Sequence, residues 1–258
     1  MPDLAGRIAI VTGADSGIGA ASAVALAARG AALAIIYHRD VPGAQRTLST
    51  VEASGARGVI VQADVSDETS VEQAFDAMRS ALGLPDVLVN SAGLNQSGVA
   101  VADMSTPQWR RLIDTDLTGA FFTCRRFVRD LRAAGKPGRI VNISSIHQDI
   151  MRAGAADYAA AKGGLKNLTK TLALECAPLR INVNAVAPGM ILTPMNAAAM
   201  ADAALLKRDD ADIPWGRAGT AEEVAGVVAF LVSDAADYIT GTTVTIDGAL
   251  SLMLGQGA

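Results

Sequence analysis

Seven short, nearly continuous apolar runs alternate with longer amphipathic stretches, and no other feature of the chain limits its fold as much. The runs are Arg7–Thr12, Ala32–Tyr37, Gly58–Ala63, Val87–Asn90, Arg139–Ser144, Ile181–Ala187 and Thr243–Ile246. Each is rich in Val, Ile and Leu without polar alternation, the pattern of a strand covered on both faces. Helical periodicity fills the intervals near Ile18–Arg29, Pro42–Ser54, Val71–Leu82, Thr106–Ala134, Ala155–Cys176 and Ala221–Ser233. Such repeats close through right-handed crossovers into a parallel sheet with helices on both sides. A single doubly wound α/β domain over residues 1–258 is expected.

Local signals agree with these limits. Pro42 suits a first helical turn, where its missing N–H costs nothing, and Gly55 follows as a stop. Ser66 or Asp67 caps the third helix, which Gly83 and Pro85 end. One stretch breaks the rhythm, from Gly189 to Arg217, with Thr193-Pro194 and a polar Lys207–Asp212 segment. It follows a strand end, where α/β sheets bind ligands, so it is expected to cover a substrate.

With 258 residues, 50% of them hydrophobic, the chain suits one well-buried domain. Its net charge of −4, with Lys and Arg dispersed, speaks against a nucleic-acid partner. Cys124 and Cys176 lie far apart and only His38 and His147 accompany them, so reduced thiols are expected rather than a disulfide or a metal site. The N-terminus enters a strand pattern at once, and the apolar run Val224–Val232 is too short to span a bilayer. These readings point to a cytoplasmic protein without a membrane partner.

Two motifs carry chemistry. Directly after the first apolar run stands Thr12-Gly13-Ala14-Asp15-Ser16-Gly17-Ile18-Gly19, opening a helix. Glycines let backbone N–H groups approach a pyrophosphate, and the helix start supplies partial positive charge. The spacing Gly-x-x-x-Gly-x-Gly also suits a plain tight turn, but first strand, first helix and parallel sheet together favour a dinucleotide. The second motif is Tyr158-Ala-Ala-Ala-Lys162, with Ser145 thirteen residues before the tyrosine. Four residues apart on a helix, Tyr and Lys share a face. An ammonium beside a phenol favours the phenolate, which can exchange a proton with an alcohol oxygen. Taken alone, the pair reads rather as an interfacial tyrosine with a snorkelling lysine.

Thr12-Gly13-x-x-x-Gly17-x-Gly19, Asn90-Ser-Ala-Gly93, Ser145, Tyr158-x-x-x-Lys162 and Pro188-Gly189 occur in order with compatible separations. Together they resemble the classical short-chain dehydrogenase/reductase family over nearly the whole chain. The resemblance implies a Rossmann-type fold with seven parallel strands, and a homotetramer or homodimer. It implies that Gly13, Ser16, Gly17, Ile18 and Gly19 line the cofactor's phosphates and adenosine ribose, with Asp64 and Val65 at the adenine. Asn90, Ala92 and Gly93 would support the central ribose, and Pro188, Gly189 and Thr193 the nicotinamide. Ser145 would hold the substrate oxygen, Tyr158 would act as general acid or base, and Lys162 would bind the nicotinamide ribose. Asp114-Thr115-Asp116-Leu117 matches a motif that usually has Asn where this chain has Asp116, in a helix kink whose backbone carbonyl holds a water leading to the lysine. The carbonyl survives the exchange, so Asp116 joins the expected catalytic set, with an altered pH dependence.

Tyr37, His38 and Arg39 end the second strand, where an acid would favour NAD. Loss of a carboxylate and gain of a cation favour NADP, with dual use open and Asp40 one position on as the competing acid. Within the family, Ser144-Ser-Ile-His147, Thr171–Pro178 and the Ile191–Met195 region are most similar to bacterial glucose 1-dehydrogenases. That likeness implies a sugar or polyol as small-molecule substrate, with Asn95, Gln96, His147 and Asn196 as hydrogen-bonding groups beside Ser145. The alternative is a 3-oxoacyl-thioester (acyl carrier protein) or general ketone reductase, which calls for a more apolar site and a basic patch. A non-catalytic nucleotide-binding regulator is a third reading, and it predicts a broken Ser–Tyr–Lys set where this one is intact.

Overall fold

The computed structural model describes residues 3–194 and 210–253. Among the described residues there are nine strands: β1 (Ile8–Thr12), β2 (Ala32–Tyr37), β3 (Gly58–Gln62), β4 (Val87–Asn90), β5 (Gly138–Ile143), β6 (Ile181–Pro188), β7 (Ile191–Leu192), β8 (Gly219–Thr220) and β9 (Thr243–Ile246). The helices are α1 (Gly17–Ala28), α2 (Val41–Ala53), α3 (Glu68–Leu82), α4 (Thr106–Ile113), α5 (Gly119–Ala134), α6 (Ala156–Cys176) and α7 (Ala221–Leu231). Seven strands pair in the order β3-β2-β1-β4-β5-β6-β9. Every pairing in that sheet is parallel. The order reverses between β1 and β4, which opens a crevice at their carboxyl ends.

Strand residues alternate between two cores. Ala9 and Val11 join Leu33, Ile35, Val87, Val89 and Val141 beneath α1 and α7, while Ile10 joins Ile36, Phe75, Leu88, Phe127 and Ile140 beneath α3 and α5. Both faces are therefore sealed, which is why the runs lack polar alternation. Asp67 caps α3 by accepting from the Thr69 N–H at 2.9 Å, and Gly83 ends it at φ +107°. Asp40 caps α2 from the Gly43 N–H at 3.0 Å. After β6, Ile191–Leu192 form β7, which pairs in parallel with β8.

The expected helix over Thr106–Ala134 is two helices. Residues Asp114–Thr118 form a π-helical turn between α4 and α5, so the backbone carries one extra residue there. That turn points Asp116 inward and sets Leu117 against α6, where a Cβ on Gly164 would come within 2.7 Å of the leucine. The double glycine of α6 thus has one packing reason within the chain, at Gly164. Gly163 meets nothing closer than the Gln148 carbonyl at 3.8 Å.

Candidate active site

The crevice is a cavity of about 1460 Å³ at the carboxyl ends of the sheet. One end lies beneath the start of α1. Thr12 closes β1, and its hydroxyl oxygen accepts from the N–H groups of Ser91 and Ala92 at 3.0 Å each, tying the turn after β4 to the glycine turn. Gly13 sits at φ +61°, and a Cβ there would stand 2.8 Å from the Ala92 Cα. A Cβ on Gly19 would overlap the Gly13 carbonyl, so the two glycines let strand and helix meet. Ser16 precedes α1 in extended conformation without a side-chain cap, and no acid occupies the first turn. The α1 N–H groups are therefore left for a ligand, and glycine cradle and uncapped helix fit a pyrophosphate. Ser16, Gly17 and Ile18 all border this end.

Beyond the turn lie Tyr37, His38, Arg39, Asp64 and Val65. Tyr37 is buried. Asp64 accepts from the Ser66 hydroxyl at 2.6 Å and amide at 2.9 Å, with His38 Nε2 at 3.5 Å. Burial pushes its carboxyl upward, but the Ser66 hydrogen bonds and the nearby His38 and Arg39 outweigh that and hold it below the usual range. Arg39 has no ion pair among the described residues, and Asp40 is engaged as the α2 cap. Asp15, which sequence reasoning passed over, also lines this end. Burial raises its pKa, and Asp40 adds to the effect.

Asn90 stands as a correction, because its side chain turns away from the cavity. Nδ2 donates to Asn142 Oδ1 at 2.9 Å and to Cys124 Sγ at 3.2 Å, while the Thr123 hydroxyl donates to Oδ1 at 2.7 Å. Burial pushes the Cys124 thiol up to about 12, so this cluster is a neutral floor beneath the turn. Ala92 and Gly93, by contrast, border the cavity, as do Pro188, Gly189 and Thr193 on the opposite wall.

Ser145, Tyr158 and Lys162 meet in the middle. Ser145 follows β5, is buried, and its Oγ accepts from the His147 N–H at 3.2 Å. Ser144 instead donates to Gln148 Oε1 at 2.8 Å and serves the loop. Tyr158 lies in the first turn of α6, with Lys162 one turn later and its Nζ 5.3 Å from the phenol ring centre. Nζ donates to the Ile143 carbonyl at 3.2 Å. It also stands 3.1 Å from Asp116 Oδ2, with the side chains 6% and 0% exposed. Asp116 Oδ1 accepts from the Leu94 N–H at 2.7 Å. Burial pulls the Lys162 pKa down, but Asp116 and Tyr158 outweigh it, and the lysine titrates above its ordinary value. Burial lifts the Asp116 carboxyl, against the pull of Lys162 and Leu94. The amide donor on one oxygen and the ammonium beside the other favour the ionised pair.

The outer end is walled by side chains. His147 Nδ1 lies 2.8 Å from the Ile150 carbonyl, which can only accept, so Nδ1 carries the proton and Nε2 of the neutral ring is an acceptor. Its ring stands edge-on to Tyr158 with centres 6.0 Å apart. Asn95 Oδ1 accepts from the Gln96 N–H at 2.9 Å, and Gln96 Oε1 is buried without a partner among the described residues. Asn196 falls outside the described residues. The cavity is also lined by Ile146, Ile150, Met151, Met190, Ile213 and Leu250, an apolar set that sequence reasoning missed. Scattered over four segments, these residues share no periodicity that would have marked them. At the amino ends of β5 and β6, a smaller concavity of about 450 Å³ gathers Arg7, Arg132, Lys136, Arg139 and Arg180 around Asp237. Its cations also come from separate segments, which hid the patch in the sequence.

A family model described as Enoyl-(Acyl carrier protein) reductase matches residues 13–251. The chain is 42% identical over 259 residues to 3beta-hydroxysteroid dehydrogenase 1 of Eggerthella lenta, covering 99% of each. It is 38% identical over 254 residues to Glucose 1-dehydrogenase 2 of Bacillus subtilis, covering 98% of each. A crystal structure from Agrobacterium tumefaciens with bound NADP, provisionally described as a 2-deoxy-d-gluconate 3-dehydrogenase, superposes with a TM-score of 0.87 at 37% identity, over 96% of this chain and 98% of that one.

Proposed function

This chain belongs to the classical short-chain dehydrogenase/reductase family and is an oxidoreductase of alcohols and carbonyls; from that premise we propose how its residues divide the work. The supporting observation is the convergence of Ser145, Tyr158 and Lys162 on a cavity whose other end is the glycine turn. Bound nicotinamide supplies or accepts the hydride. In reduction, the Tyr158 hydroxyl gives its proton to the substrate oxygen while Ser145 Oγ holds that oxygen by hydrogen bonding; in oxidation Tyr158 takes the proton back. Lys162 holds the nicotinamide ribose hydroxyls with the N–H left over from Ile143 and Asp116. Gly13, Ser16, Gly17, Ile18 and Gly19 cradle the phosphates, Asp64 and Val65 face the adenine, and Thr193 the nicotinamide amide. NADP is the favoured cofactor, on Arg39, which has no ion pair among the described residues, and on the engaged Asp40, with NAD as second.

For substrate, we favour a sugar or polyol, on the acceptor of His147 beside Tyr158 and the Gln96 carbonyl, which has no partner among the described residues. The apolar set from Ile146 to Leu250 favours a second reading, an apolar ketone or 3-oxoacyl thioester. The basic concavity stands at the opposite end of the sheet from Tyr158, so it does not strengthen the carrier-protein form of that reading. A spectrophotometric screen decides between them: sugars and polyols with NADP and NAD, against ketones and acyl thioesters with the reduced cofactors. Turnover of the second group alone overturns the polyol reading. A cytoplasmic homotetramer or homodimer completes the proposal, supported by the half-exposed Trp109 and Phe121 on α4 and α5, and light scattering reads its mass.

A further inference from the structure

We propose that Asp116 is a positioning residue whose carboxylate screens Tyr158 from the charge of Lys162, so that the buried pair is electrically neutral and the enzyme's working pH range lies higher than a lone lysine would set it. The inference rests on the Ser145–Tyr158–Lys162 reading above. It is carried by the geometry of one junction. Asp116 Oδ2 stands 3.1 Å from Lys162 Nζ, while Oδ1 takes the Leu94 N–H at 2.7 Å, so the carboxylate is fixed between the turn after β4 and α6. Gly93 makes room for it, since a Cβ there would lie 2.8 Å from Oδ2. Both side chains are almost wholly buried, so water screens the interaction only weakly.

Lys162 stands 5.3 Å from the Tyr158 ring centre, near enough for an uncompensated ammonium to stabilise negative charge on the phenolic oxygen. A carboxylate locked against that ammonium cancels most of the field. Other charged and titratable groups around the junction are few. Asp157 on α6 accepts from the Tyr158 N–H at 2.8 Å and opposes ionisation of Asp116. His147 borders Tyr158 from the loop after β5, and Arg111 and Asp114 border the cavity from α4 and the π-helical turn. The turn Ser91–Gln96 carries no charge.

Asp116→Asn isolates the charge, because an amide oxygen still accepts from Leu94. Two effects share one sign. Removing the carboxylate exposes Tyr158 to the full lysine charge, which moves the acid limb of the oxidation profile down. It also removes what holds Lys162 above its ordinary range, which moves the alkaline limb down. The expected result is a shift of both limbs to lower pH by about one unit. A profile that superimposes on wild type, or moves upward, overturns the proposal. A second readout needs no turnover: the near-ultraviolet phenolate absorbance of the cofactor-free protein, with the same background lacking the Tyr158 hydroxyl (Tyr158→Phe) subtracted. Asp116→Asn brings the phenolate in at lower pH. The double variant Asp116→Asn with Lys162→Met removes both charges and returns the titration to within about 0.3 units of wild type. A double variant that titrates well above wild type shows that Asp116 carries no charge, and overturns the proposal even where the single variant does not fold. Failure of the catalytic reading looks different: it leaves wild type without turnover on any alcohol, whatever the phenolate titration shows.

Discussion

Beneath the start of α1 the cavity wall is main chain, whereas beside His147 it is side chain. At the first end, Gly13, Gly19 and Ala92 pack backbone on backbone, and the Thr12 hydroxyl fastens two turns together. At the second, His147, Gln96 and the apolar side chains come from five separate segments. Main-chain walls tolerate few residue types, because any Cβ fills the space the ligand or the packing needs. Side-chain walls tolerate many. The first end therefore serves a common cofactor, and the second is free to differ between enzymes named for steroids and for glucose.

Substitutions can break or sharpen this contrast. Tyr158 stands where the two ends meet, so Tyr158→Phe should cost every substrate alike, lowering kcat by about 10²- to 10⁴-fold with cofactor affinity retained. Steady-state turnover with two unrelated substrates checks it, and a loss confined to one of them breaks the picture. Gly19→Ala should weaken NADPH at least about tenfold, or about 1.4 kcal/mol, whatever the substrate, as read by fluorescence titration. Arg39→Ala should lower the NADP-to-NAD ratio of kcat/KM about tenfold by removing a charge-assisted hydrogen bond. Smallest is His147→Phe, which should change the ranking of substrates a few-fold through KM, about 1 kcal/mol, with cofactor binding unmoved. Equal effects on all substrates would show that His147 serves the loop instead.

The same contrast governs what could be read from the chain. The seven strands of the main sheet were legible because burial on both faces leaves mostly apolar residues, and their limits agree within a residue, whereas the two-residue β7 and β8 are too short to leave a pattern. The glycine turn was legible because its geometry demands glycine. Asn90 was misjudged, since a residue at the end of a strand faces either the ligand or the sheet, and only the partners Asn142, Thr123 and Cys124 decide. The break in the helix between Ile113 and Gly119 leaves no mark in the local pattern, because a π-helical turn needs no proline or glycine at its centre, and only the family resemblance implied a kink there. Asp116 was noticed as a departure, yet its contact with Lys162 depends on that break.

The extra residue between α4 and α5 fixes the angular phase of everything that follows. Deleting any single residue from 114–118 would let the helix run straight, and each side chain beyond the cut would rotate by about 100° relative to those before it. Asp116 and Leu117, or else α5 beyond them, would then lose the phase that sets them against α6 and the sheet. The segment thus behaves as a register key: substitution leaves it intact, whereas a one-codon deletion, harmless in many surface helices, uncouples the lysine from the dimension of the fold that holds it.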